Sequence, residues 1–375
     1  MSCVADASST PPATARAAAA ASSATAGADA FSQAFAPGSP RVLVAGATGF
    51  AGALAAHLLW RHPRFELVAV TGRSEVGRRL DDLYPRYRVP LAIAELDLDA
   101  YGQLDAAIVA YPHAAAAPTV AELRARDVRV VDLSADFRLS SLATYERWYG
   151  EHPRPELLAE AVYGLTELHR ERIAGAGIVA NPGCYPTASV LGLAPLARAG
   201  LVADVVIDAK QGVSGAGRAF DDTTHLSMAG ENILPYKVAE HRHTPEIEEQ
   251  LAPLRAGAGA TDDLAVLFQA HLVPLDQGEL ADCYVTTTRP VDDAQLAELF
   301  AAAYAHEPFV EVVNAPPGTR DVQETNFCRL FAKADAHTGK VIVLSAIDNL
   351  WKGTSSQAVQ NLNVMFALPE TEGLM

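Results

Sequence analysis

One cysteine stands in a setting that suits a chemical role better than packing. Cys184 lies in the stretch ANPGCYPTA, residues 180–188, where Gly183 and Pro186 interrupt regular structure on both sides of it. The apolar run after Pro186 predicts a helix that begins just after the cysteine, with proline in its first turn. A thiol at the positive end of a helix loses its proton more readily, and the thiolate is the nucleophilic form. The pattern therefore predicts a catalytic nucleophile at Cys184.

A covalent mechanism also needs a group that carries protons. The stretch AEHRHTPEI supplies two histidines in the pattern H-x-H, His241 and His243. Histidine titrates near neutral pH, so His241 is a candidate acid and base for the cysteine. The pair could instead be half of a metal site, but no further cysteine or histidine stands at a convincing ligand spacing, and we expect no metal. Two ordinary surface histidines are the remaining alternative.

A glycine-rich segment near the start of the folded region could hold a dinucleotide. The stretch GATGFAG places Gly46, Gly49 and Gly52 in the pattern G-x-x-G-x-x-G, between an apolar run and a helical pattern. Such a loop lets the backbone approach a pyrophosphate at a helix N-terminus. Glycines at this spacing also occur in ordinary tight turns that pack a helix on a sheet. The strand before and the helix after favour the dinucleotide.

The end of the next predicted strand bears on the choice between NAD and NADP. That strand ends Thr71-Gly72-Arg73-Ser74, where an NAD-binding protein usually has a carboxylate for the ribose hydroxyl. A guanidinium and a hydroxyl suit a 2′-phosphate, so the pattern favours NADP(H). A merely solvated Arg73 is the alternative, and Glu75 close by weakens the NADP interpretation.

A second glycine-rich segment lies between the cysteine and the histidines. The stretch DAKQGVSGAGR, residues 208–218, contains Ser214, Gly215, Gly217 and Arg218. Backbone N–H groups of such a loop can converge on an anion, while the simpler interpretation is a flexible connection. Its position after Cys184 in the chain favours a part in the same site.

The elements that would position these residues follow from hydrophobic periodicity. Short apolar runs alternate with helical patterns before Cys184, which predicts a parallel sheet covered on both faces. After Cys184 the pattern is α+β in character. The predicted strands are residues 66–72, 106–111, 128–134 and 340–348, and the predicted helices are residues 119–127, 292–305 and 355–368.

Composition restricts the classes of partner. The 375 residues are 50% hydrophobic and 20% charged, enough for a sizeable core in two domains, and the formal net charge is -16. Nucleic acid and anionic membranes require a basic face, so we expect a small-molecule partner instead. Four cysteines without a CxxC pair predict no disulfide framework, which indicates a reducing, cytoplasmic location. No uninterrupted apolar run reaches about 18 residues, so no membrane span is predicted.

The first forty residues are rich in Ala, Ser, Thr and Pro. They contain few large apolar side chains, so we expect residues 1–40 to form a disordered extension. An organelle transit peptide would normally carry several arginines, whereas this segment has Arg16 alone together with Asp6 and Asp29. A flexible extension is therefore favoured over targeting.

Six stretches occur in a fixed order along residues 41–375. They are GATGFAG (46–52), LSADFRL (133–139), NPGCYPTA (181–188), VSGAGR (213–218), EHRHTPEI (240–247) and NLWKGTSSQAVQNLN (349–363). In this order they resemble the N-acetyl-γ-glutamyl-phosphate reductases of arginine biosynthesis. Two departures are Phe50, where that family commonly has tyrosine, and Ala114, where it tends to have glycine.

The resemblance implies NADPH-dependent reduction of N-acetyl-glutamyl 5-phosphate to the 5-semialdehyde, with phosphate released through a thioester on Cys184 and His241 as acid and base. The substrate-binding residues would be Arg138, Ser214, Arg218, Tyr236 and His243. The cofactor-binding residues would be Gly46, Thr48, Gly49, Phe50, Gly52, Arg73, Ser74, Ser134, Gly215, Asn349 and Lys352. For Arg138, a structural ion pair with Asp136 or another neighbour is the alternative.

The expected fold class is α/β. A Rossmann-type dinucleotide-binding domain would span residues 41–183, and an α+β catalytic and dimerisation domain would span residues 184–348. Residues 349–375 would return to the first domain and pack a closing helix beside the glycine-loop helix. Because related enzymes assemble through the second domain, the resemblance implies a homodimer or homotetramer.

Three alternatives to the acetyl-glutamyl substrate or to catalysis remain open from the sequence. Aspartate-semialdehyde dehydrogenases share the glycine loop and the cysteine, but act on a shorter substrate with a free amine. A reductase of the homologous aminoadipyl phosphate is harder to separate from the acetyl-glutamyl enzyme. A non-catalytic NADP-binding regulator would be expected to lack the nucleophile or the base, and both Cys184 and His241 are present.

Overall fold

Two seven-stranded sheets, with helices connecting and covering them, form the part of the chain that is described. The computed structural model describes residues 38–219 and 221–375. The disordered extension predicted for residues 1–40 therefore lies outside the described residues up to residue 37. Among the helices within the described ranges, none is both long and apolar enough to cross a bilayer.

The first sheet is parallel throughout, as the alternation of apolar runs and helical patterns predicts. Its strands are β1 (Arg41–Ala45), β2 (Glu66–Thr71), β3 (Ile93–Ala94), β4 (Ala106–Val109), β5 (Arg129–Asp132), β6 (Ala161–Tyr163) and β7 (Ile178–Ala180). They lie in the order β3-β2-β1-β4-β5-β7-β6, and every neighbouring pair is parallel. The central strands are buried along nearly their whole length, which explains why they read as continuous apolar runs.

The connecting helices differ in detail from the predicted bounds. They are α1 (Phe50–Arg61), α2 (Leu80–Leu83), α3 (Ala117–Arg124), α4 (Leu142–Tyr149) and α5 (Thr166–Ala174). The helix predicted for residues 119–127 is α3, which begins earlier because the Asp136 carboxylate accepts the Ala117 N–H at 2.9 Å. It ends earlier because Asp127 adopts a left-handed conformation with φ 58°. The strands predicted for residues 106–111 and 128–134 are each shorter than expected, since the chain turns into loops at their carboxyl ends.

The second sheet is mixed and follows Cys184 in the chain. Its strands are β8 (Val202–Gly212), β9 (Leu234–Tyr236), β10 (Val266–Val273), β11 (Glu279–Thr287), β12 (Val310–Val312), β13 (Cys328–Ala334) and β14 (Lys340–Ile347). They lie in the order β12-β13-β14-β11-β8-β10-β9. Its helices are α6 (Cys184–Arg198), α7 (Leu226–Ala229), α8 (Thr244–Gly257) and α9 (Asp293–Tyr304). Helix α9 begins with a capping box between Asp292 and Gln295, at the place that the sequence predicts.

Helix α6 is the element that holds the cysteine. Every residue from 185 to 197 is buried, and Leu191 and Leu193 share one apolar core with Ile207 of β8 and Val343 of β14. Such burial leaves the helix little freedom to shift. The first residue of α6 is therefore fixed relative to the strands of the second sheet.

The end of the chain returns to the first sheet. A π-helical turn over Trp351–Ser355 leads into α10 (Ser356–Met365), in which every residue is buried. Val359 and Leu362 share the apolar core of α1 with Leu54, and the Ser355 hydroxyl donates to the Ala51 carbonyl at 2.8 Å. Helix α10 thus packs beside the glycine-loop helix.

Candidate active site

The glycine loop between β1 and α1 is tightly packed at two of its three glycines. Gly46 has φ +89°, and a Cβ there would lie 2.5 Å from the Ala110 carbonyl oxygen. A Cβ on Gly52 would lie 2.2 Å from the Gly46 carbonyl oxygen. Gly49 differs, since its nearest contact would be at 3.8 Å. Two glycines therefore allow α1 to approach β1, while Gly49 is free to face a ligand.

Two cavities meet at Cys184. The smaller one, of about 310 Å³, is lined by Gly49, Phe50 and Gly52 together with Gly215, four of the residues expected to contact the cofactor. The larger one has about 530 Å³. Both cavities are lined by Arg138, Cys184, Gln211, Gly215 and His243. The sulfur therefore stands where a cofactor in the smaller cavity and a substrate in the larger one would come together.

Cys184 is the first residue of α6, and Gly183 is its N-cap with extended backbone. A Cβ on Gly183 would lie 2.6 Å from Nε2 of His243 and 2.9 Å from a guanidinium nitrogen of Arg138. A side chain at residue 183 would therefore have to displace the side chain of His243 or Arg138. The Gln211 side-chain amide of β8 donates a hydrogen bond to Sγ of Cys184 at 2.8 Å.

The protonation of Cys184 departs from the sequence-based expectation. Burial raises the pKa of the thiol well above its ordinary value, and the carboxyl of Glu279 raises this pKa further. The hydrogen bonds from Gln211 and from the Tyr185 backbone act in the opposite direction but are weaker. Cys184 lies at the helix N-terminus as predicted, while its burial and Glu279 favour the protonated thiol.

Both histidines of the H-x-H pattern line the larger cavity and neither is a surface residue. Burial, with smaller contributions from Lys237 and Arg242, lowers the pKa of His241 to about 3. Burial also lowers the pKa of His243, and His241 adds to this effect. The His243 backbone N–H donates to Nδ1 of His241 at 3.1 Å. Because a backbone N–H can only donate, the neutral ring of His241 carries its proton on Nε2.

Arg138 is held by main-chain carbonyls and by a carboxylate that sequence reasoning missed. Its guanidinium donates to the carbonyls of Asn181 and Leu133 at 2.8 Å each, and it forms an ion pair with Glu246 at 3.4 Å. Glu246 also accepts the Gly183 N–H at 2.9 Å. Arg138 therefore forms an ion pair, as the alternative interpretation expected, and its partner is Glu246 of α8.

The Asp136 carboxylate has other partners. It accepts the backbone N–H groups of Ala114 and Ala117 and the hydroxyl of Tyr145. This side chain is fully buried and serves the loop before α3. The pairing of Arg138 with Asp136 considered from the sequence is thus wrong.

Four further predicted residues lie at the cavities. Ser214 and Asn349 line the smaller one, and the Asn349 amide donates to the Ser214 hydroxyl at 3.0 Å. Arg218 also lines the smaller cavity, where its guanidinium pairs with Glu75 at 3.2 Å. Tyr236 lines the larger cavity and donates to the Tyr185 hydroxyl at 3.2 Å.

Lys352 has a position that argues against the expected cofactor contact. Its side chain is fully buried, and its ammonium group donates to Glu167 at 2.6 Å and to Gln360 at 2.8 Å. Neither cavity is lined by this residue. We correct the prediction: Lys352 fixes the returning segment to α5 and does not face a ligand.

The remaining cofactor candidates stand around the glycine loop, outside the residues that line the two cavities. The Ser134 hydroxyl donates to the buried Asp132 carboxylate at 2.6 Å. The Thr48 carbonyl accepts from Arg218 at 3.3 Å. Arg73 and Ser74 are exposed, and the Arg73 guanidinium lies over the Tyr111 ring at 4.8 Å from its centre.

Within residues 38–219 and 221–375, no group of three or more His, Cys, Asp and Glu side chains is placed to hold a metal ion. Cys283 and Cys328 are fully buried in the core of the second sheet.

Two family models match the chain. The model described as "Semialdehyde dehydrogenase, NAD binding domain" matches residues 41–176, and "Semialdehyde dehydrogenase, dimerisation domain" matches residues 184–349. The aspartate semialdehyde dehydrogenase II of Vibrio cholerae is 17% identical, with a TM-score of 0.66 over 87% of this chain and 98% of that one. The enzyme of Candida albicans, solved with NADP, is 14% identical, with a TM-score of 0.63 over 88% and 98%. These structures share the fold, which confirms the predicted two-part α/β class.

Closer relatives carry a more specific name. A protein of Desulforudis audaxviator named N-acetyl-gamma-glutamyl-phosphate reductase is 49% identical over 345 residues, 89% of this chain and 98% of that protein. One of the same name from Moorella thermoacetica is 46% identical over 341 residues, 88% and 96% of the two chains. The resemblance found in the six motifs is thus confirmed, and the chain belongs to the N-acetyl-γ-glutamyl-phosphate reductases of the semialdehyde dehydrogenase superfamily.

Proposed function

We propose that this chain reduces N-acetyl-glutamyl 5-phosphate to the 5-semialdehyde, with release of phosphate, in arginine biosynthesis. The observation that carries the proposal is the position of Cys184 at the junction of a glycine-lined cavity and a larger polar one. A nucleophile there can bond to the substrate on one side and present the resulting thioester to a cofactor on the other. The names of the relatives supply the substrate.

The larger cavity suits an anionic substrate. Arg138, Lys237 and Arg242 line it, and Asp221 is the carboxylate among its described lining residues. Cations at this density favour a ligand with a carboxylate and a phosphate. A free ammonium, as in an aspartate-type substrate, would require more negative charge around it than Asp221 provides.

The smaller cavity suits a nicotinamide dinucleotide. Glycine backbone lines it at Gly49, Gly52, Gly215 and Gly217, beside the N-terminus of α1. Exposed backbone N–H groups at a helix N-terminus bind pyrophosphate well. When bound, the reduced nicotinamide supplies the hydride.

We propose NADP(H) as the specific cofactor. Arg73 and Ser74 are exposed at the end of β2, where the ribose of the adenosine half would lie. Glu75, which weakened this interpretation from sequence, is already paired with Arg78 and Arg218, and these partners lower the pKa of its carboxyl. The arginine at residue 73 thus remains available for a 2′-phosphate.

The protein side chains would divide the work as follows. The Cys184 sulfur attacks the acyl carbon, the C–S bond forms, and the bond to the phosphate oxygen breaks. The neutral His241 ring donates from Nε2 to the oxyanion that forms on that carbon, both during acylation and in the thiohemiacetal. Collapse of the thiohemiacetal breaks the C–S bond and releases the aldehyde. His241 would thus act as a hydrogen-bond donor that stabilises the oxyanion.

The outer face of the second sheet supports self-association. Leu267 on β10 and Tyr284 on β11 point to the same uncovered face, with 57% and 36% of their surface exposed. Apolar side chains on the open face of a sheet favour burial against another surface. We propose a homodimer or homotetramer formed through this face, in the cytoplasm, where reducing conditions keep Cys184 a free thiol.

The deciding experiment measures NADPH oxidation by the purified protein. N-acetyl-glutamyl phosphate should support turnover, and in the reverse direction the acetylated C5 semialdehyde should be preferred over the acetylated C6 and the free-amine C4 semialdehydes. Cys184→Ser should abolish turnover while the Kd for NADPH changes by less than about twofold, because serine replaces only the sulfur in the lining of the smaller cavity and leaves the other lining residues unchanged. Normal turnover by Cys184→Ser would refute the covalent mechanism, and preference for either other semialdehyde would refute the substrate.

A further inference from the structure

A buried carboxyl group stands behind the nucleophile, and none of the roles described so far uses it. Glu279 is the first residue of β11 and has no exposed surface. Neither of its carboxyl oxygens accepts a hydrogen bond from an N–H or O–H group of the described residues. Leaving a buried carboxyl without such partners is costly, so a group of this kind calls for a functional explanation.

The register of the second sheet brings Glu279 to the sulfur. Glu279 pairs directly with Gln211 across the antiparallel strands β11 and β8. Side chains that are directly opposite in such a pair lie on the same face of the sheet, about 5 Å apart at Cβ. The Gln211 amide donates a hydrogen bond to Sγ of Cys184, and Glu279 raises the pKa of the same thiol. Because Glu279 lines neither cavity, it can meet the thiol but not the substrate.

The thiol needs a proton acceptor that His241 does not provide. The lone pair on Nδ1 of His241 accepts the His243 backbone N–H, and Nε2 already carries the ring proton. A ring in this state donates but has no free lone pair to receive the proton of Cys184. A carboxylate that faces the sulfur does have one.

We infer that Glu279 accepts the proton of the Cys184 thiol during acylation and returns it when the aldehyde leaves. In the first step the S–H bond breaks, an O–H bond forms on Glu279, and the sulfur electron pair attacks the acyl carbon. In the last step the C–S bond breaks, the sulfur keeps the electron pair, and the proton moves from Glu279 back to sulfur. The carboxyl is thus regenerated in each turnover. This inference rests on the proposed role of Cys184 as nucleophile.

The electrostatics of the pocket suit this role. Burial raises the pKa of Glu279 to about 8, and the nearby charge of Asp348 adds to the effect. An acid or base is most effective when its pKa is close to the working pH. The titratable groups that interact with Glu279 are Cys184 and Tyr185 of α6, Tyr236 of β9, Cys328 of β13 and Asp348 after β14.

The first test is alkylation of Cys184 by iodoacetamide as a function of pH, which requires neither substrate nor cofactor. In the unaltered protein the rate should rise through about pH 8 and then level off, because the pair shares a single proton once it is ionised. In Glu279→Gln the alkylation rate should instead follow the ionisation of the thiol alone. It should therefore keep rising above about pH 8 and not level off at that pH. Glu249→Gln is the matched control, since burial also raises the pKa of Glu249 but this residue lies outside both cavities and should leave the profile unchanged.

The second test is turnover. Loss of a general base should lower kcat/KM of Glu279→Gln about a hundredfold or more near neutral pH, with the Kd for NADPH unchanged. Glu279→Asp keeps a carboxyl farther from the sulfur and should fall between the two, so it decides the matter if Glu279→Gln does not fold. An unaltered alkylation profile together with unaltered kcat/KM in these variants would overturn the role of Glu279. Failure of the unaltered protein to reduce the substrate would refute the proposed function instead, and would leave the alkylation result intact.

Discussion

Gly49 and Gly52 stand three residues apart in one loop, yet we expect their replacement by alanine to have opposite consequences. A Cβ on Gly52 would come within 2.2 Å of the Gly46 carbonyl oxygen and 2.9 Å of the Ala47 Cα. Both contacts are backbone atoms, so no side chain can rotate away. A Cβ on Gly49 would have nothing nearer than 3.8 Å. Gly52→Ala should therefore damage the fold, whereas Gly49→Ala should leave it intact.

The size of each effect follows from opposing contributions. Overpacking against backbone should cost Gly52→Ala about 3 kcal/mol. The better helix propensity of alanine inside α1 returns about 1 kcal/mol, which leaves a net loss near 2 kcal/mol. That corresponds to a fall in Tm of roughly 3 °C, because the entropy of unfolding grows with chain length. At Gly49 the backbone is extended, so alanine fits, and we expect a change within about 0.5 kcal/mol.

Gly49→Ala, the variant expected to keep its stability, should be the one that weakens cofactor binding. Gly49 lines the smaller cavity at the N-terminus of α1, so a methyl group there would keep a pyrophosphate away from the backbone N–H groups. We expect the Kd for NADPH to rise about tenfold or more in Gly49→Ala. Calorimetric unfolding and NADPH titration of both variants provide the measurements. Equal losses of Tm would refute the packing analysis, and unaltered NADPH affinity in Gly49→Ala would refute the location of the pyrophosphate.

Two further predictions concern buried charges. Lys352→Met leaves Glu167 buried without its partner and should lower the unfolding free energy by about 3 to 5 kcal/mol. The double variant Lys352→Met, Glu167→Leu should recover much of that loss, because no charge is then left buried alone. A Lys352→Met variant as stable as the parent would contradict the buried ion pair. Burial raises the pKa of Asp132 to about 7, so its contribution to stability is complete below its unfolded pKa and is lost as the pH rises through about 7. As the pH rises from acidic to mildly alkaline, Asp132→Asn should therefore lose less unfolding free energy than the unaltered protein. The difference between the two losses should be up to roughly 4 kcal/mol. Identical pH profiles from chemical denaturation would contradict this prediction.

The sequence was sufficient for those features that local pattern controls. The glycine loop, the helix that begins at Cys184 and the capped helix α9 depend on neighbouring residues, and each lies where the pattern predicts. The family resemblance indicated which residues before and after Cys184 belong to the same site. The helix bounds around α3 were less accurate because the Asp136 carboxylate, which lies beyond the end of that helix, determines where it begins.

The parts that sequence did not reveal depend on long-range pairing. Glu246 lies inside the quoted stretch EHRHTPEI, but its contacts with Arg138 and Gly183 bridge distant parts of the chain. Glu279 has no local signal at all, because only the register of β11 against β8 brings it beside Gln211. The local pattern around Cys184 also gave no sign that burial and the distant carboxyl of Glu279 raise the pKa of its thiol.

The C-terminal segment that returns to the first sheet completes the active site only after the rest of the chain has been synthesised. A Cβ on Gly353 would lie 2.7 Å from the Cβ of Cys184, and the Thr354 carbonyl accepts from the Asn181 side chain at 3.0 Å. Synthesis proceeds from the N-terminus, so the ribosome makes the nucleophile long before the residues that enclose it. A nascent or truncated chain that lacks α10 would expose an incomplete thiol pocket, and catalytic competence would be acquired only when the last helix docks.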